Sequence, residues 1–179
     1  YHLAASLHRF KTRFPHVELS TQVANSDRIV KLVVERSVDI GFIARACDRR
    51  GLVSEYLGQD ELVPVCAPTH PLDGRSNGDR ADLGEERLVV QEVGSAARAV
   101  TDGLLTTLDI QPKIWMELGS QEAIKQVVRA GRGLGMVSRG GSSYELGAGL
   151  LAIAEVPQLR ASLHLQAIYL KQGSLTPLQ

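Results

Sequence analysis

At 179 residues, 44% of them apolar, the chain is long enough for one ordinary domain or two small lobes and can build a core, which excludes wholesale disorder. Aromatics are only 4%, so that core rests on Leu, Val, Ile and Ala. Lys plus Arg equals Asp plus Glu at 20 each, without the basic excess of proteins that grip nucleic acid by its phosphates.

The N-terminal stretch carries Leu3, Leu7, Phe10 and Phe14 at helical spacing, and this predicts a helix that Pro15 stops. Val17, Leu19, Thr21 and Val23 alternate with polar residues and predict a strand. Ser26 reads as the N-cap of a second helix. Asp27 falls in its first turn, where the dipole favours an anion, and Ile29, Leu32 and Val33 lie on its apolar face through about Arg36. Val38, Ile40 and Phe42 alternate again, as in a strand. Residues 52–57 and 61–67 predict two more strands before a turn-rich stretch at 68–82.

Residues 88–90 then predict a short buried strand, Ala97, Val100, Leu104 and Leu108 a helix, and residues 113–118 a strand. Ser120 caps a helix carrying Ile124, Val127 and Val128, and Gly131 stops it. Residues 134–137, 150–153 and 162–170 read as strands. The second half thus repeats the helix–strand alternation of the first and adds an opening strand. Alternation of this kind predicts an α/β fold with a parallel sheet flanked by helices on both faces. The missing opening strand suggests that the fragment begins inside a larger protein. Two such lobes, joined by extended segments, frame a cleft with a hinge.

Several reactive residue types form no recognisable chemistry. Cys47 and Cys66 match no CxxC spacing and read as reduced thiols. His2, His8, His16, His70 and His164 match no metal motif, and there is no G-x-S-x-G elbow. The run Gly131 to Gly135 precedes a strand, whereas a phosphate loop follows one, so it reads as a helix stop and tight turn. No apolar run reaches membrane-span length, and the amphipathic opening does not read as a signal peptide. These patterns predict no catalytic residues, no metal and no cofactor.

Four motifs in order carry a family resemblance. Residues 5–14 with Pro15-His16-Val17-Glu18-Leu19 resemble the opening of the LysR-type effector domain. Ser37-Val38-Asp39-Ile40-Gly41-Phe42 resembles its "G.lD.gi" strand, and Pro64 to Leu72 its "l.v..p..HPL" segment. Glu117-Leu118-Gly119-Ser120 followed by VRAGRGLGMVS at 128–138 resembles its "V.aG.Gi...p" segment. Arg36 departs from the pattern, sitting near where the family usually has a glycine before the strand.

The resemblance implies two doubly wound α/β lobes joined by two crossover strands, a type II periplasmic-binding-protein-like fold. Lobe I would take residues 1–60 and 162–179, with its last helix starting near residues 174–177; lobe II would take residues 61–161. The implied function is the ligand-sensing domain of a cytoplasmic DNA-binding transcriptional regulator, holding a small, anionic metabolite between the lobes. It further implies a homodimer or tetramer formed through this domain, and DNA contact only through an N-terminal winged helix-turn-helix outside this sequence. A solute-binding protein of a transporter shares the architecture and is the alternative; a preceding signal peptide would favour it, and a helix-turn-helix would exclude it.

The candidate site follows from both readings. Glu92-Val93-Gly94-Ser95 lies between a strand and a helix, where glycine lets the backbone approach a ligand and free N–H groups face an anion. Ser95 reads either as a ligand-binding hydroxyl or as a plain N-cap, and so do Ser26 and Ser120. Arg98, one turn into its helix, reads either as an anion partner or as a solvated surface residue. Gly119 completes the expected effector-binding set.

Overall fold

The computed structural model describes residues 3–73, 84, 86–131 and 133–171. In chain order they form α1 (Ala4–Arg13), α2 (Ser26–Val34), β1 (Gly41–Ile43), β2 (Leu52–Cys66) and β3 (Arg87–Gln91). These are followed by α3 (Ala96–Thr107), β4 (Lys113–Leu118), α4 (Gln121–Arg129), β5 (Leu134–Ser138), α5 (Ser143–Gly147), β6 (Ala152–Ile153) and β7 (Ala161–Leu170). Single 3-10 turns lie at Gly140–Ser142 and Pro157–Leu159. The helix expected near 174–177, Arg132 and most of the turn-rich stretch at 68–82 fall outside the described residues.

The fold is mixed α/β. One sheet runs β1-β7-β2-β5-β3-β4, with β6 beside β2. Among the described residues only β4, β3 and β5 pair in parallel; β1–β7, β7–β2, β2–β5 and β2–β6 are antiparallel. The parallel pairing expected from the alternation is formed by β4, β3 and β5. The rest is built on two long strands that pair from Leu52↔Leu170 to Leu62↔Ala161. The segments at 52–57 and 61–67, expected as separate strands, are one strand. The ladder with β7 continues across the polar Gly58-Gln59-Asp60 stretch, with a register shift between Tyr56 and Gly58.

Strand alternation sends neighbouring residues to opposite faces. Leu62, Leu88, Val90 and Met136 pack with Ala97 and Leu105 of α3. Val63, Val89 and Val137 pack with Ile124 and Val128 of α4. The two helices thus cover opposite faces of one sheet. A separate cluster joins Ile29, Val30, Leu32 and Val33 of α2 to Ile43 and Ile168. Each fully buried Val, Leu or Ile contributes roughly 1.5–3 kcal/mol.

Two sequence expectations need correction. Residues 17–25 form no ladder in the described structure, and Val23 is 99% exposed. Alternation gives a segment two faces, but only a pairing partner makes it a strand. The second strand begins at Gly41 rather than Val38; Val38 instead packs against the α2 cluster.

Arg36 shows how the chain manages without the usual glycine. It has a φ of 58°, just past the end of α2. The Ser37 N–H donates to the Leu32 carbonyl at 2.9 Å and the Arg36 N–H to Val33 at 3.1 Å, which is a Schellman stop. A side chain costs about 1–2 kcal/mol in the left-handed region. Arg36→Gly is therefore expected to stabilise the protein by about 1 kcal/mol after the entropic cost of glycine. A calorimetric scan should show the midpoint rising by about 2–4 °C; a fall would mean that the arginine side chain holds the turn.

Among the described residues the best-buried charge lies in α4. Lys125 is 2% exposed, and its Nζ stands 2.7 Å from both Glu122 Oε1 and Glu145 Oε1 while donating to the Gly141 carbonyl at 3.0 Å. Burial acts against the ammonium, but its hydrogen bonds to Glu122 and Glu145 outweigh that and raise its pKa.

Candidate ligand-binding site

The site starts from three helix beginnings. Asn25, not Ser26, caps α2: its backbone is extended, and its Oδ1 accepts the Arg28 N–H at 3.0 Å. Ser26 is the first helical residue and is buried. In the run Asn25-Ser26-Asp27 all three residue types cap well, so the choice depends on backbone angles that composition does not reveal. Ser95 caps α3 through the Arg98 N–H at 3.0 Å, and Ser120 caps α4 through the Ala123 N–H at 3.1 Å.

The chain brings the first two beginnings into direct contact. The Asp27 N–H donates to the Gly94 carbonyl at 3.2 Å, and Asn25 Nδ2 donates to Glu92 Oε1 at 2.9 Å. Gly94 has a φ of 91°, and a Cβ there would stand 3.2 Å from Asp27 Oδ2. A Cβ on Gly119 would stand 3.3 Å from Glu92 Oε2. Among the expected residues, Glu92, Gly94 and Gly119 therefore gather at the N-terminus of α2. Arg45 Nη2 pairs with Asp27 Oδ1 at 2.5 Å. A depression of about 420 Å³ opens beside α2, bordered by Val30, Lys31, Arg45 and Cys47 and sharing Asp27.

Arg98 pairs with carboxylates of the chain itself. Its side chain is only 13% exposed, so it is not a solvated surface residue. Its Nη1 lies 2.6 Å from Glu117 Oε2 and donates to the Gln91 carbonyl at 3.2 Å, and its Nε lies 2.9 Å from Asp102. The hydrogen bond to Arg98, helped by the Val93 N–H, holds the Glu117 carboxyl below the usual carboxylate range. Arg98 fixes the base of the turn and has its charge answered within the chain. Val93 is 69% exposed and contributes only its N–H, which donates to Glu117 Oε1 at 3.4 Å.

Sequence reasoning missed Asn25 and a second polar group around Ser120. Gln121 exchanges hydrogen bonds with the Ser138 backbone, its Oε1 accepting at 3.2 Å and its Nε2 donating at 3.3 Å. The Ser138 hydroxyl donates to Asp60 of β2, and Asp60 Oδ1 accepts the Gly140 N–H at 3.1 Å. This ties the start of α4 to the long strand β2. Among the described residues no group of three or more His, Cys, Asp or Glu is placed to hold a metal ion, and no helix is long and apolar enough to cross a membrane. Both cysteines are free thiols, and burial, ahead of the Asp73 and Glu86 charges, pushes the Cys66 thiol up to about 12.

Comparison with known proteins places this arrangement. The family model described as the LysR substrate binding domain matches residues 1–179. The uncharacterized HTH-type transcriptional regulator YeiE of Escherichia coli (strain K12) is 35% identical over 176 residues, which is 98% of this chain and 60% of that protein. The chain thus spans about three fifths of the length of this relative. Among solved structures, the CcmR regulatory domain of Synechocystis PCC6803 in complex with 2-PG superposes with a TM-score of 0.90 at 24% identity, covering 99% of this chain and 86% of that one. The effector binding domain of QuiR in complex with shikimate gives a TM-score of 0.82 at 19% identity, covering 99% and 87%. Both show the same fold, the type II periplasmic-binding-protein-like fold of LysR regulatory domains.

Proposed function

The chain belongs to the LysR substrate binding domain family, the effector-binding regulatory domain of LysR-type transcriptional regulators, and from that premise we propose that it senses a small anionic metabolite held between two lobes. Lobe I takes residues 1–60 and 162–179, and lobe II residues 61–161. The observation that carries this reading is the meeting of the α2 and α3 N-termini through the Asp27 N–H and the Gly94 carbonyl. A helix N-terminus favours negative charge, and at the start of α2 the Glu92 carboxylate on Asn25 now takes the place that an effector anion would take. The shikimate bound by QuiR carries a carboxylate, which agrees with an anion.

The effector changes the balance between lobe arrangements, and the change reaches DNA through a helix-turn-helix elsewhere in the cytoplasmic regulator. The domain also pairs with a second copy of itself. The edge strand β4 exposes Ile114 and Trp115, and no residue of the amphipathic α1 is buried.

The test is a thermal-shift screen of small carboxylates and phosphate esters, followed by titration of a hit against Asn25→Asp. That variant keeps the capping oxygen but replaces the amide donor by a charge. A hydrogen bond to a charged group contributes roughly 1.5–3 kcal/mol, so affinity should fall at least about tenfold; the unliganded melting point should fall too, because the new carboxylate would face Glu92 Oε1, to which Asn25 Nδ2 now donates at 2.9 Å. A hit that binds the variant as tightly as the wild type would place its site elsewhere; a screen answered only by cations would overturn the anionic reading.

A further inference from the structure

We propose that Glu92 and Asn25 form a latch that closes the cleft on itself, with the Glu92 carboxylate taking the position at Asn25 that an anionic effector needs. The inference rests on the two-lobe, anion-sensing reading above and adds a built-in competitor to it.

Three features of the contact carry it. First, it is long-range and doubled: Asn25 and Glu92 lie 67 residues apart, and their 2.9 Å hydrogen bond runs beside the Asp27 N–H to Gly94 bond at 3.2 Å. Second, the closeness is built in by glycine on the lobe II side. At Gly94 a Cβ would press on Asp27 and Asn25, and at Gly119 it would press on Glu92. Third, the side chain that bridges is the kind an effector would replace. A carboxylate on the capping amide, at a helix N-terminus, is chemically what a carboxylate or phosphate ligand would present.

An effector that takes Asn25 must displace Glu92, and the freed Glu92 is then repelled by the bound anion. Binding and release of the latch are therefore one event. The cleft shuts on itself without effector, and its apparent affinity is lowered by the fraction of time the latch is closed.

The experiment measures the distance between spin labels in the intact protein, at Glu35→Cys after α2 and Arg129→Cys in α4. Cys47 is replaced by serine, and labelled protein is diluted in unlabelled protein so that only pairs within one chain are read. Both labelled positions are exposed, whereas Cys66 is buried. Glu92→Ala should shift the distribution to longer distances. Glu92→Gln, which still offers Asn25 an oxygen acceptor, should keep the wild-type distribution. Superposable wild-type and Glu92→Ala distributions would overturn the latch.

Inorganic phosphate, titrated into the same samples, separates the two claims. Binding at least about fivefold tighter to Glu92→Ala than to wild type supports the competitor. Equal binding to both overturns it while leaving the anion site standing. Longer distances in Glu92→Ala, without phosphate binding to any variant, support the latch and count against the anionic reading.

Discussion

Glu145→Ala is expected to lower folding stability by about 3 kcal/mol, read as an earlier urea midpoint at pH 7 with an unchanged slope. The reason is the partner left behind. Lys125 is almost wholly buried, and removing one carboxylate leaves an ammonium out of water with less to answer it. Breaking a buried pair from one side typically costs about 3–5 kcal/mol. The lower end applies because Glu122 and the Gly141 carbonyl remain within reach of Nζ. Glu145→Gln keeps the shape and an acceptor oxygen and should lose less. Lys125→Met should cost a comparable amount, because it leaves the Glu145 carboxylate, itself only 11% exposed, without the Lys125 ammonium.

The same pair sets a pH dependence with a definite sign. The hydrogen bond from Lys125 is the main reason that the Glu145 carboxyl stays below its usual 4.5. A carboxyl held low in the folded state contributes stability that is fully present above the unfolded value and is lost as pH falls through the folded one. The gap between wild type and Glu145→Ala should therefore be widest at neutral pH and narrow below about 4.5. A gap that stayed constant into acid would mean that Glu145 stabilises the fold by packing and not by charge.

The legibility of this chain divides along the range of its interactions. The β3–α3–β4–α4–β5 stretch was readable to within a residue or two, because each element writes its own period and its own cap. Ser95, Ser120 and Gly131 each sit at an element end and suit that position by residue type. The strand expected at 17–23 failed for the converse reason: its pattern is local, but a strand exists by pairing. The Asn25–Glu92 contact was not readable either, since nothing near Asn25 announces a carboxylate 67 positions away. Lys125 reads as polar surface by type, and the Gly141 carbonyl and Glu145 that meet it come from a turn and helix later in the chain.

Gly133→Ala is expected to be among the most damaging small substitutions in the chain, and Gly131→Ala tells why. Both glycines have positive φ, 80° at Gly131 and 70° at Gly133. Placing a side chain in that region costs about 1 kcal/mol or more wherever there is room for it. At Gly131 there is room: a Cβ meets nothing within 4 Å. At Gly133 the same atom would lie 2.0 Å from the carbonyl oxygen of Arg87, which opens β3. That carbonyl cannot rotate aside as a flexible side chain would, because β3 is paired with β5 from Leu88↔Leu134 onward and with β4 from Arg87↔Lys113. Either the parallel ladder shifts or the turn into β5 opens, and both disturb the two clusters packed on opposite faces of that sheet. Gly131→Ala should therefore cost about 1 kcal/mol and Gly133→Ala at least about 3 kcal/mol. In thermal unfolding the second should melt roughly 10 °C below the wild type. If the two variants melted together, the φ angles alone would account for both glycines, and the close approach to Arg87 would have no energetic weight.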